Sequence, residues 1–275
     1  MLAALSPVAY APTVAPASVR TRAAVSMSFG DDFTVEARPW SSGEVSDAAG
    51  LEALAKKLNP SVGFFDPLNI GESSKETIGW YRHAEIKHGR VAMAAFVGYI
   101  VQSNGINFPW STTLSGMTYS DIAAAGSPPA QWDAVPTNAK WQIFFLIAGL
   151  ELWSECAMDK HYMKGGKPGD FPSFEPIRKE IGHPTLDLFD PFGLSKNRTP
   201  EQKEKGLLAE INNGRLAQIG IIGMISASKG LQVPGLDSIA GIKPYAGEVM
   251  APFAGGDSAL PFVADMLKSV GSYGW

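Results

Sequence analysis

One segment of this chain is written twice. Glu85-Ile-Lys-His88-Gly-Arg90-Val-Ala-Met returns as Glu210-Ile-Asn-Asn213-Gly-Arg215-Leu-Ala-Gln, with the glutamate, the His or Asn, and the arginine at unchanged spacing. Both copies run on into apolar sequence. Charged residues at the mouth of an apolar helix are costly to keep. A chain that keeps them in duplicate must find partners for both sets, and two equivalent helices meeting across a pseudo-twofold axis provide them.

Helix geometry says which partners. Glu85 and His88 lie about 60° apart on one face, whereas Arg90 is about 140° round from Glu85. Pairs within a helix form three or four residues apart, so neither arginine suits its own glutamate. Crossed helices solve this reciprocally, Glu85 with Arg215 and Glu210 with Arg90, where an unpaired buried ion would cost several kcal/mol. Small residues would let the backbones approach: Gly89, Ala92 and Gly98 on one helix, Gly214, Ala217 and Gly223 on the other. One turn beyond each neutralised carboxylate stands a donor, the imidazole of His88 or the amide oxygen of Asn213. Either suits the single open axial position of a magnesium porphyrin-like ring, as does a carboxylate whose charge an arginine balances.

Three apolar segments predict helices over about 78–102, 139–163 and 203–228. None is free of charge over the roughly 20 residues that cross a 30 Å hydrocarbon core, so membrane placement depends on neutralising the Glu and Arg residues. The chain is 45% apolar and 18% charged over 275 residues, a lean balance for a soluble protein of this size. Its net charge of −4 and lack of a long basic run give no sign of nucleic acid. The single cysteine, Cys156, excludes intrachain disulfides and reads as a packing residue. Residues 1–30 hold no Asp or Glu but do hold Arg20 and Arg22, which fits an organelle targeting segment over about 1–26, with one domain over 27–275.

The intervening stretches, 103–137 and 165–199, are rich in Gly and Pro and predict loops; 259–270 suits a short interfacial helix. Asp66-Pro67 and Asp190-Pro191 stand at nearly the same distance ahead of the two glutamates, so the repeat extends to a turn before each helix. The expected fold class is all-α, three long helices with the first and third crossed and with short amphipathic helices: an all-α membrane protein of three transmembrane helices if the charges are neutralised, a soluble bundle otherwise.

Rival chemistries fit less of the pattern. Glu85-x-x-His88 matches the element of di-iron carboxylate bundles, but the second copy offers Asn213, a poor iron ligand, and the arginines oppose a cationic metal pair. A transporter built on inverted repeats would run the duplicated helices in opposite directions, whereas one intervening span gives these the same direction. A soluble bundle with surface ion pairs accounts for one copy of the motif more readily than for two.

These residues resemble the light-harvesting chlorophyll-binding antenna family. The likeness covers the first and third helices and the Phe-Asp-Pro turns, and the middle helix loosely. His161-Tyr-Met-Lys-Gly-Gly-Lys-Pro-Gly-Asp170 and the Asn212-Asn213 pair are similar to the chlorophyll a/c antennae (fucoxanthin or peridinin type) of secondary-plastid algae. The resemblance implies that Glu85, His88, Glu210, Asn213 and Glu151, with Glu155 and Gln142 behind Glu151, are axial ligands to chlorophyll magnesium, with no other metal. It implies that Arg90 and Arg215 compensate charge and lock the helices, and that carotenoids end near Asp66, Pro67, Asp190 and Pro191. The pigments implied are chlorophyll a, a second chlorophyll of the c type and xanthophyll-type carotenoids. The function implied is non-enzymatic: a multi-pass antenna of the plastid thylakoid bilayer, working with other antenna subunits and passing excitation to a photosystem core (I or II). The alternative within the family is a member that dissipates excitation as heat. One departure is Ala227, where the family often places a glutamine; Gln218 sits elsewhere on the wheel. His83, His161 and His183 read as surface or loop residues, and Trp80, Trp110, Trp132, Trp141 and Trp153 as interface anchors near the span ends.

Overall fold

The computed structural model describes residues 48–114, 116–181, 197–236, 241–249 and 251–253, together with Asp190, Gly193, Asp257, Asp265 and Lys268. The expected targeting segment, His183, Pro191 and all of 259–270 except Asp265 and Lys268 lie outside the described residues. The described elements are helices: α1 (Ala48–Leu58), α2 (Lys75–Ser103), α3 (Tyr119–Ala123), α4 (Pro128–Ala134), α5 (Thr137–Cys156), α6 (Glu175–Ile181) and α7 (Pro200–Ser228), with 3-10 turns at Ile70–Glu72 and Tyr162–Lys164.

α2 and α7 are the long elements, 29 residues each. Both open on a hydroxyl cap. Ser74 accepts the Thr77 N–H at 3.3 Å, and Thr199 forms a full capping box with Gln202 behind Pro200. Each ends two residues before a glycine with positive φ, Gly105 and Gly230. The helices meet where Gly89 faces Gly214. A Cβ on Gly89 would sit 3.0 Å from the Gly214 Cα, and one on Gly214 2.9 Å from the Gly89 Cα. The contact is reciprocal, as a twofold relation requires, and any side chain at either position would push the backbones apart.

The other glycines expected at this crossing do not serve it. Gly98 has open space beside it, and Gly223 faces Val233 and Leu236 just beyond α7. The helices have already diverged there, because the approach is set at the one glycine pair. Gly220 meets the Phe96 ring instead.

α1 docks on α7 through Lys57–Glu204 at 2.7 Å and a hydrogen bond from Asn212 Nδ2 to the Leu58 carbonyl at 3.3 Å. The start of α5 is held from the other end of the chain. Lys140, with no exposed surface, bonds Asp257 at 2.8 Å, and the Thr137 hydroxyl shares that carboxylate. Trp132 Nε1 donates to the Pro252 carbonyl at 2.8 Å, the Tyr245 N–H donates to Ser228 O at 2.8 Å, and the Tyr245 hydroxyl donates to Asp133 at 2.7 Å. Burial first, then the Asp133 bond, pushes the Tyr245 phenol up.

The middle helix is shorter than its sequence pattern. It ends at Cys156 rather than near 163, and Tyr162 folds back so that its hydroxyl bonds the Glu155 carboxylate at 3.0 Å. In a continuing helix Tyr162 would stand about 10 Å further along the axis and miss Glu155. Cys156 is exposed there, not packed. Apolar side chains face outward on all three long helices, including Val91, Val97, Ile100, Leu216, Ile219 and Ile222 on the crossed pair. On α5, Phe145 and Leu146 are 70% and 65% exposed. No described helix is long and apolar enough to cross a membrane: α1, α3, α4 and α6 are short, and α2, α5 and α7 carry Glu, Lys or Arg residues.

Candidate functional site

The crossing brings together the four charges that the repeat demands. Arg215 Nε donates to Glu85 Oε1 at 2.7 Å, and Arg90 Nε donates to Glu210 Oε1 at 2.5 Å. The two glutamate side chains are nearly equally shielded, 26% and 27% exposed. Ile86 and Gly89 from one repeat and Ile211 and Gly214 from the other line a small, mostly apolar cavity together with residues Glu85 and Glu210. Each carboxylate oxygen accepts two hydrogen bonds, so an arginine on one lone pair leaves another for a metal.

His88 is an exposed ring whose Nδ1 lies 2.7 Å from the Ala84 carbonyl. A carbonyl only accepts, so Nδ1 carries a proton, and in the neutral ring the lone pair is on Nε2. This is how a ligating histidine is normally oriented, with one nitrogen tied to backbone and the other offered outward. Asn213 is likewise exposed, while its neighbour Asn212 is spent on α1. Glu151 lies on α5 and pairs with Lys87 of α2 at 2.7 Å, a carboxylate balanced by a neighbouring helix in the manner of Glu85 and Glu210. Glu155 is engaged by Tyr162 and by His161 at 2.9 Å, and Gln142 is exposed near the start of α5.

The two turns differ in build. Asp66 accepts the Ile70 and Gly71 N–H groups at 3.0 and 2.6 Å and so caps the 3-10 turn that follows Pro67. Asp190 instead adopts the left-handed region, φ 50°, and its carbonyl accepts the Gly193 N–H at 2.9 Å, a conformation that Asp tolerates better than most residues.

Two residues of the site escaped the sequence pattern. Arg82, 5% exposed, places a second guanidinium on the Glu85 carboxylate. Its position three before Glu85 is a signal, but Leu207 stands at the matching place in the second copy, so the repeat does not show it. His83 is buried, against the expectation of a surface or loop residue. Its ring stacks on Tyr162 with centroids 3.9 Å apart, and its Nδ1 accepts the Gly169 N–H at 3.1 Å. The cause is tertiary: the loop after α5 folds over this part of α2. His161, by contrast, does lie in that loop, half-buried against Glu155.

Residues 51–229 match the family described as Chlorophyll A-B binding protein. The chain is 33% identical over 171 residues to fucoxanthin-chlorophyll a-c binding protein F, chloroplastic, of Phaeodactylum tricornutum, covering 62% of this chain and 76% of that one. It is 31% identical over 190 residues to fucoxanthin-chlorophyll a-c binding protein, chloroplastic, of Trieres chinensis, covering 68% and 84%. It is 32% identical over 202 residues to fucoxanthin-chlorophyll a-c binding protein B, chloroplastic, of Macrocystis pyrifera, covering 71% and 79%. A twice-written glutamate–arginine lock, a histidine oriented as a ligand and these matches have one common reading: the chain belongs to the chlorophyll A-B binding protein family, whose members are antenna proteins and not enzymes.

Proposed function

We propose that this protein is a light-harvesting antenna of the plastid thylakoid membrane that holds chlorophyll a, a c-type chlorophyll and xanthophyll-type carotenoids and passes excitation to a photosystem core. The single observation that carries this reading is the reciprocal neutralisation of Glu85 and Glu210, each with a nitrogen or oxygen donor one turn beyond it. This donor set suits the magnesium of a chlorophyll ring: charge-balanced carboxylates, an imidazole whose Nδ1 is tied to the backbone so that Nε2 would be the ligand, and an amide. Glu85, His88, Glu210 and Asn213 would hold four pigments on the crossed helices, and Glu151 one on α5. Arg90 and Arg215 would balance the ligand charges. The turns at Asp66-Pro67 and Asp190-Pro191 would receive carotenoid ends. Bound chlorophyll supplies the visible absorption; the protein fixes distances and orientations, which rigid elements do best.

The membrane reading rests on the apolar side chains that all three long helices turn outward and on the pairing of their charges within the protein. An ion pair closed between helices costs far less in a hydrocarbon layer than an isolated ion. Other antenna subunits and a photosystem I or II core would be the partners, and the N-terminal segment would direct import.

The test is a fluorescence excitation spectrum of the detergent-purified protein, watched at chlorophyll a emission. Carotenoid and accessory-chlorophyll bands in that spectrum are the expected result. A stably folded, colourless protein would overturn the reading.

A further inference from the structure

α5 meets the crossed pair through few side chains, yet an antenna needs its pigments at fixed separations. Beside the Lys87–Glu151 pair, one continuous series of contacts joins them. The Tyr162 hydroxyl bonds Glu155 at the end of α5, and the Tyr162 ring stacks on His83 of α2. Gly169, later in the same loop, is held from both sides: its N–H donates to His83 Nδ1 at 3.1 Å, and its carbonyl accepts from the Arg90 guanidinium, the group that also pairs with Glu210. The backbone here tolerates little else. Gly169 has φ +79°, and a Cβ on it would come 2.7 Å from Ile86.

We propose that His83 is a positioning residue for the pigment on Glu210, acting through the 161–170 loop. An N–H donor fixes the His83 ring as the neutral form with its proton on Nε2, so the imidazole serves as an acceptor for backbone, not as a ligand. By holding the Gly169 amide it aims the Gly169 carbonyl at Arg90, and that second bond stops the Arg90 guanidinium from turning away from Glu210. The second repeat has Leu208 at the place of His83, so the device serves one site only. The same loop returns to Glu155, which sets α5 against the crossed helices. This inference rests on reading Glu210 as a pigment ligand.

The experiment compares full-length chain refolded with chlorophyll a, chlorophyll c and a xanthophyll in four forms: unaltered, Glu210→Leu, His83→Phe and His83→Gln. Phe keeps the stack on Tyr162 and loses the acceptor; the Gln amide oxygen restores it. The expected result is that His83→Phe loses the same absorption-difference band as Glu210→Leu, with that pigment bound about 10–100-fold more weakly, as for other partners that orient a metal ligand, while His83→Gln retains it. His83→Phe with every band intact, or with all bands falling in proportion, would overturn the proposal. If Glu210→Leu itself loses no band, the ligand reading of Glu210 fails, and the His83 contact is judged by amide exchange over residues 165–170. Faster exchange in His83→Phe but not in His83→Gln supports the contact, and equal exchange in all forms sinks it. Should His83→Phe not fold, rapid exchange at Gly169 in the unaltered protein would itself be decisive against it.

Discussion

The two copies of the motif share a lock but not its surroundings. Among the described residues Glu210 has Arg90 alone for a compensating charge, and Arg90 is itself steadied by the Gly169 carbonyl. Glu85 has two arginines, Arg215 across the crossing and Arg82 one turn before it on its own helix. The first copy offers His88 as its second donor and the second copy Asn213. What is duplicated fixes how the helices cross. What is not duplicated makes the neighbouring sites chemically different, and a pigment antenna gains directed energy flow only if its sites differ.

That difference makes the lock unequally fragile. Arg90→Leu leaves Glu210 with no other cation among the described residues and also frees the Gly169 carbonyl, so it should cost about 1.5–3 kcal/mol, the range for a lost hydrogen bond to a charged group. Arg215→Leu leaves Glu85 with Arg82 and should cost about 1 kcal/mol. Pigment yield after refolding and the temperature of pigment release measure both. Adding Arg82→Met to Arg215→Leu should bring the second lock down to the level of the first. Equal losses from the two single variants would mean that Arg82 does not compensate Glu85.

The glycine crossing should show the opposite behaviour, because there the two copies are alike. Gly89→Ala and Gly214→Ala each put a methyl about 3 Å from the facing Cα, and each should cost about 1–3 kcal/mol as overpacking. The pair should match within error in thermal release. A marked inequality would break the twofold relation at its centre.

The repeat makes the lock legible in the sequence: Glu85, Arg90, Glu210, Arg215, Gly89 and Gly214 all stand where the spacing places them, since helical geometry decides which charges can pair. The two long helices are likewise readable as apolar segments, to within three residues at each end. The rest depends on contacts between residues far apart in sequence. His83 is buried by a loop more than seventy residues away, α5 stops early because Tyr162 folds back on Glu155, and Lys140 is buried by Asp257, a partner 117 residues distant. Arg82 is the intermediate case, visible as a local pair but hidden from any argument built on the repeat. Gly98 and Gly223 show the reverse error, where a small residue on the right face was assigned to a crossing the helices had already left.

The smallest contrast lies at the helix starts. α7 begins with a reciprocal box, in which Thr199 Oγ1 accepts the Gln202 N–H at 3.3 Å and Gln202 Oε1 accepts the Thr199 N–H at 3.1 Å. α2 begins with a one-way cap from Ser74 to Thr77 N–H at 3.3 Å. Thr199→Ala therefore removes one bond and loosens a second, and should cost about 1 kcal/mol, near the middle of the range for lost caps. Ser74→Ala removes one and should cost less. Since α7 carries Glu210 ten residues further in, fraying of its first turn should leave pigment content unchanged and appear only as faster amide exchange before Glu210. A loss of pigment from Thr199→Ala would show that the cap and the lock are coupled along α7, and the second copy would then be the weaker half at both levels.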